Sequence, residues 1–345
     1  MITASPRRAQ YVAPEYSAPH RTARWQQAWR ESVTDAHELL ALLDLTPLAG
    51  ELLPAADPGF ALRVPRAFVA RMRRGDPADP LLLQVLPRAA ELGDAQGYTR
   101  DAVGDLGARV GPGVLHKYAG RALLIATGSC AVNCRYCFRR HFPYAQETAA
   151  ANRWRDAVAL IGADDSIEEV ILSGGDPLSL TTPKLAELSG ALAAVPHLKR
   201  LRIHTRLPIV LPERVDAELT PWLRGLPWPV VVVLHANHAN EIDDAVVQAC
   251  ARLRASGASL LNQSVLLRGV NDDAAALADL SQRLFAAGVL PYYLHQLDRV
   301  AGAAHFAVDD ERARALVESL RGRLSGYLVP RPVREIAGEP GKTPL

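Results

Sequence analysis

The sequence predicts an α/β protein in which six βα units in series curve into a partial or closed parallel (β/α)6 barrel. A helical N-terminal extension precedes the barrel and a short C-terminal tail follows it. Short apolar, β-branched runs alternate with longer amphipathic segments rich in Ala, Leu and Arg, and successive runs begin about 30 residues apart, one βα unit each. Polar residues gather immediately after each run, where the loops of a βα barrel converge on one mouth.

Residues 1–115 lack this rhythm and are rich in proline, with helical patterns at 24–43 and 65–73. They are expected to pack on the barrel as an extension. The barrel core, 116–308, carries strand patterns at 122–126, 169–172, 200–204, 230–234, 259–265 and 290–294. Helical patterns at 154–161, 184–195, 243–256 and 274–287 alternate with them, and Gly257 and Gly288 close two of these. A helix at 309–324 leads into a tail over 329–345, punctuated by proline and glycine, which by itself reads as a frayed terminus.

With 345 residues, 49% hydrophobic and 22% charged, the chain can bury a large core, which sets aside disordered, collagen-like and coiled-coil classes. Its 39 basic and 37 acidic residues leave a net charge of +2, which gives no reason to expect a nucleic-acid or membrane partner. No apolar run follows Arg7 and Arg8, and the run at 226–234 is far short of a membrane span, so a cytoplasmic protein is expected. Three of the four cysteines, Cys130, Cys134 and Cys137, fall within eight residues, a spacing unlike disulfide staples. Only four lysines occur, Lys117, Lys184, Lys199 and Lys342, so chemistry that needs a neutral amine has few places to sit.

The residues after the six strands are Gly128-Ser129-Cys130, Ser173-Gly174-Gly175-Asp176, His204-Thr205-Arg206, His235-Ala236-Asn237-His238, Asn262-Gln263-Ser264 and His295-Gln296-Leu297-Asp298. All six should meet in one site. Cys130-x-x-x-Cys134-x-x-Cys137 fits an iron–sulfur cluster one thiolate short, leaving one iron free for a ligand. Zinc is the competing reading, with His141 or Cys250 completing a tetrahedron. Gly174-Gly175 alone is a tight turn, and Cys250 in a helical pattern is a small buried hydrophobe.

The cysteine motif, with Tyr136 just before its last cysteine, resembles the radical S-adenosylmethionine superfamily. From about residue 62 to 345 the chain is similar to the lysine 2,3-aminomutase family. The matching stretches are Leu62-Arg63-Val64-Pro65-Arg66, His116-Lys117-Tyr118, the run from Cys134 through Phe142, Ser173 through Leu178, Asn262 through Leu267, and Ser325-Gly326-Tyr327. The branch it most resembles makes β-lysine for elongation factor P, because catabolic members continue beyond the Lys342-Thr343-Pro344 motif into a cysteine-bearing tail.

The resemblance implies a radical-SAM type of barrel and an isomerase that converts L-lysine to (R)-β-lysine. It implies a 4Fe-4S cluster on Cys130, Cys134 and Cys137, and S-adenosylmethionine at Ser173, Gly174, Gly175, Asp176, His235 and Gln263. Pyridoxal 5′-phosphate would be carried by Lys342, with Lys117, Tyr118, Arg121 and Arg206 nearby and Arg206 as phosphate clamp. Arg139 would pair with the substrate carboxylate, and Asp298 and Glu335 would receive the ε-ammonium. Opposed carboxylates around one buried ammonium favour lysine over glutamate, the alternative substrate. Glu335 replaces the family's usual aspartate, and His295 stands where catabolic members carry tyrosine. Implied partners are L-lysine, an electron-donor protein, an elongation factor P lysine ligase and the factor itself.

Overall fold

The computed structural model describes residues 23–147, 149 and 154–345. Ten strands form one sheet in sequential order: β1 Arg109–Gly111, β2 Val114–Tyr118, β3 Arg121–Thr127, β4 Glu169–Gly174, β5 Arg200–Thr205, β6 Val230–Leu234, β7 Ser259–Val265, β8 Leu290–His295, β9 Arg331–Arg334 and β10 Thr343–Pro344. Neighbours from β3 to β9 pair in parallel. Antiparallel pairs flank this core at both ends, β1–β2–β3 and β9–β10. The six expected strands are β3 to β8. Buried on both faces, β4 reads as the near-continuous apolar run that a parallel strand covered by helices requires.

The four added strands lie where sequence patterning is weakest. Gly113, at a φ of +71°, turns β1 into β2, a hairpin too short to show a period. Pro332 interrupts β9, and proline ordinarily demotes a strand. The helical stretch expected at 24–43 is two helices, Arg24–Arg30 and Ala36–Leu42. Val33 between them bridges to Val64, and Asp35 starts the second by accepting the Glu38 N–H at 2.7 Å. The stretch expected at 65–73 contributes one turn, Arg66–Val69.

The barrel is partial, because β1 and β10 do not pair with each other. Side chains bridge the seam instead: Lys117 and Tyr118 of β2 both reach Glu335, just past β9. One apolar cluster joins Trp25, Leu39, Phe68 and Leu81 of the N-terminal segment to Leu124, Leu172, Ile203 and Val232 of the strands and to Leu188 and Leu253 of the covering helices. A second cluster lies under the helix Asp310–Arg323. Among the described residues no helix is long and apolar enough to cross a membrane.

Candidate active site

Beyond β3 the chain crosses the barrel mouth as a loop carrying Cys130, Cys134 and Cys137, all free and half-buried. Backbone bonds stitch this loop to the end of β4: Gly175 N donates to the Thr127 carbonyl at 2.7 Å and Asp176 N to the Ser129 carbonyl at 2.8 Å. The approach leaves no room for a side chain. A Cβ on Gly175 would stand 2.5 Å from the Ser129 oxygen, and Gly174 holds a φ of +115°. On the loop's outer side Glu91, fully buried, accepts from Arg135 at 2.8 Å and Arg140 at 2.7 Å. Burial pushes the Cys137 thiol up to about 11 and the Cys130 thiol well above its ordinary value, with the neighbouring thiols adding to it. A metal must therefore displace tightly held protons.

The C-terminal hairpin delivers the other half of the site. Pairing of β10 with β9 folds the tail back, so that Lys342 Nζ contacts Glu335. Glu335 also accepts from Tyr118 Oη at 2.6 Å and lies 3.4 Å from Lys117 Nζ. Lys117 pairs with Asp105 at 2.6 Å, Asp105 pairs with Arg139 at 2.6 Å, and Arg139 donates onward to Ser173 Oγ at 3.0 Å. A continuous polar chain thus runs from Lys342 to the end of β4. Burial alone would raise Glu335 and Asp105. Lys342, Tyr118 and Lys117 together outweigh it at Glu335, and Arg139 and Lys117 together outweigh it at Asp105, so both carboxyls fall below their usual range.

Asp298 differs. Its carboxylate has no hydrogen-bond partner among the described residues, and burial pushes it up to about 7 against the opposing pull of Lys342. Together with Glu335 it lines a cleft of about 630 Å³ that also touches Tyr98, Arg268, Arg299 and Arg334. Three histidines face the same interior. His204, His235 and His295 each keep an unpartnered, buried Nε2. Burial lowers all three, His235 to about 4, with Lys342 contributing at each, so they stand neutral.

Two of the expected residues are engaged by protein partners. Arg206, expected as a phosphate clamp near Lys342, is buried on the cysteine side and has its fork filled. Nη1 donates to Cys134 Sγ at 2.7 Å and Tyr136 Oη at 2.6 Å, while Nη2 donates to Gln84 Oε1 at 2.7 Å and Glu241 Oε2 at 2.9 Å. Asp176, expected to touch S-adenosylmethionine, commits both oxygens to Leu178 N, Thr205 Oγ1, Arg206 N and Leu207 N. Four accepted bonds exhaust a carboxylate, so Asp176 braces the ends of β4 and β5. Arg121 opens β3 with its guanidinium 4.6 Å from the Tyr118 ring centre. Gln263 lies on the half-buried face of β7 that alternates with core positions.

Gln84, Glu91, Asp105 and Glu241 belong to the site and escape a sequence reading. Three of them come from the N-terminal segment, where Glu91 alone carries a local signal, the capping box it closes with Arg88. Glu241 carries one signal, the capping box it forms with His238.

The residues fit the groups expected of them. Three free thiols on one loop sit beside a glycine-built β4 end, an amine is folded into the interior, and three buried imidazole Nε2 atoms have no protein partner among the described residues. The zinc reading fits poorly. Among the described residues no three His, Cys, Asp or Glu side chains converge on a single ion. Cys250 lies in the apolar core, and His141 Nε2 donates to the Ala301 carbonyl at 3.1 Å.

No protein-family model matches the chain. It is 51% identical over 325 residues to an L-lysine 2,3-aminomutase of Escherichia coli, covering 93% of this chain and 94% of that one. An L-lysine 2,3-aminomutase of Haemophilus influenzae is 46% identical over 332 residues, covering 96% and 98%. One from Clostridium subterminale is 34% identical over 323 residues, covering 93% of this chain and 77% of that one. A solved radical SAM methyltransferase from Sphaerobacter thermophilus superposes at a TM-score of 0.42 and 18% identity, over 64% of this chain and 68% of that one.

Proposed function

The chain belongs to the L-lysine 2,3-aminomutase family, and on that premise we propose that it converts L-α-lysine to (R)-β-lysine by moving the amino group from C2 to C3. The supporting observation is the return of Lys342, three residues from the last residue, to Glu335 and the neighbourhood of Asp298. A solvent-directed Lys342 would have left the proposal without a cofactor amine.

When bound, the cluster with S-adenosylmethionine supplies a hydrogen-abstracting radical, and pyridoxal phosphate supplies the electrophilic centre through which nitrogen migrates. Cys130, Cys134 and Cys137 would hold the cluster as thiolates. Ser173, Gly174 and Gly175, with His235 and Gln263, would line the S-adenosylmethionine side. Lys342 must lose a proton to act as a nucleophile, and the Glu335 carboxylate on its Nζ holds the amine in place inside the site. Lys117 and Tyr118 hold that carboxylate. Arg139, anchored by Asp105, would orient the substrate carboxylate. Asp298, lacking a partner of its own, would take the ε-ammonium together with Glu335. The neutral histidines add no competing cation to the interior, and burial keeps water from a reactive radical. Supplying β-lysine for elongation factor P is the finer part of this proposal, supported by the motif resemblance.

The test is anaerobic reconstitution with iron, sulfide, S-adenosylmethionine and pyridoxal phosphate, followed by mass spectrometry of product from isotopically labelled lysine. Labelled β-lysine is expected, together with loss of both activity and the pyridoxal–lysine absorbance band in Lys342→Ala. Turnover of glutamate with none of lysine would reassign the substrate. One zinc per chain and no iron would remove the enzyme reading. Adding an elongation factor P lysine ligase and the factor should transfer the label to a factor lysine.

A further inference from the structure

We propose that Arg206 sets the reduction potential of the cluster carried by the cysteine loop, through its N–H bond to the Cys134 sulfur. The inference rests on the cluster assignment above. Among the described hydrogen bonds, Cys134 is the one motif sulfur that accepts from a guanidinium, at 2.7 Å. That guanidinium cannot drift away. Its own backbone N–H is tied to Asp176 at 2.7 Å, its second arm is held by Glu241 and Gln84, and the residue is 7% exposed. The partners are fixed in turn: Gln84 Nε2 donates to Glu241 Oε1 at 3.1 Å, and Asn237 Nδ2 donates to Tyr136 Oη at 2.6 Å and Gln84 Oε1 at 3.0 Å. Pairing with Glu241 would need only one edge of the fork. The other nitrogen, Nη1, is turned to the sulfur and to Tyr136 Oη at 2.6 Å beside it.

A donor on a coordinating sulfur withdraws electron density from the cluster, and a nearby positive charge stabilises the more negative, reduced state. Both raise the potential, and burial strengthens both. Glu241, the anion on the far arm of the same guanidinium, offsets part of that charge. Arg206 and Glu241 should therefore act with opposite signs. The cluster would be easier to fill from its electron donor with Arg206 present, and harder to fill with the pair's balance shifted towards Glu241.

The experiment is a redox titration of the reconstituted full chain, monitored by the paramagnetic signal of the reduced cluster without S-adenosylmethionine. Arg206→Met with Glu241→Gln removes both members of the pair and leaves no uncompensated buried charge. Its reduction equilibrium is expected to fall about tenfold, a 59 mV downward shift for one electron. Arg206→Lys keeps the charge without the fork and should fall by less. Glu241→Gln alone, which retains the Arg206 contact, should rise. A cluster-bearing double variant with the wild-type midpoint overturns the proposal, as does a Glu241→Gln chain whose midpoint does not rise. Iron analysis separates the two levels: a wild-type chain that takes up no iron would sink the cluster assignment itself.

Discussion

Asp298 lies near two ammonium groups, those of Lys342 and Lys117, yet burial wins over their attraction and the carboxyl is pushed up to about 7. A group so placed is short of one bound cation. If a substrate ammonium supplies it, lysine binding needs Asp298 ionised, and kcat/KM for lysine should climb through pH of about 7. Asp298→Asn should abolish that limb and raise KM at least about tenfold, the effect of removing one charge-assisted hydrogen bond. The folded protein carries a second consequence. A carboxyl raised on folding contributes stability that is complete below its unfolded value near 4 and is lost as pH rises through about 7. In the cofactor-free chain, Asp298→Asn should therefore gain in Tm over wild type between pH 5 and 8 and hold that gain above. A Tm difference that ignores pH would mean that the carboxyl is solvated and that the ammonium site lies elsewhere.

At the level of elements, the cysteine loop depends on a close approach that only glycine permits. Gly175→Ala would drive a Cβ into the backbone of Gly128 and Ser129, at 2.8 and 2.5 Å, where no flexible side chain can yield. The cysteine loop must then move. Iron content after reconstitution is expected to fall by more than half, while Gly257→Ala, with nothing within 4 Å of its Cβ but a φ of +89°, should cost about 1 kcal/mol and leave iron loading intact. Equal iron in both variants would show that the loop tolerates displacement. Elements of this kind divide by how local their signals are. The strands β3 to β8 announce themselves, because a buried parallel strand must be apolar along its whole length. Strands β9 and β10 do not, since Pro332 and the polar Arg331 and Arg334 belong to a four-residue strand held between β8 and the two-residue edge strand β10. The cysteine motif reads as chemistry in the residues themselves, whereas Lys342, in a tail that by itself reads as frayed, is singled out only by the family resemblance. Arg206 was legible only as a basic residue at a strand end, because its partners Gln84 and Glu241 are 122 and 35 residues away in the chain.

For the molecule as a whole, the segment before the barrel reads in sequence as an accessory and in three dimensions shares the barrel's core. Phe68 is fully buried in the cluster that also contains Leu124 and Val232, and its ring lies 5.5 Å from the Arg206 guanidinium. Gln84, from the same segment, supplies an acceptor to that guanidinium, and Glu91 clamps the cysteine loop. Segment and barrel should therefore unfold as one cooperative unit rather than in sequence. Phe68→Ala removes a ring and leaves a cavity at this junction, a change that costs about 3–5 kcal/mol in well-packed cores. Urea unfolding followed separately by far-ultraviolet circular dichroism and by tryptophan fluorescence is expected to show one transition, shifted equally for both probes. Trp25 and Trp29 report on the segment and Trp222 and Trp228 on the barrel's covering layer. If Phe68→Ala instead splits the transition, with Trp25→Phe erasing only the earlier phase, the segment folds independently of the barrel. The site would then acquire Gln84 and Glu91 by docking rather than by folding.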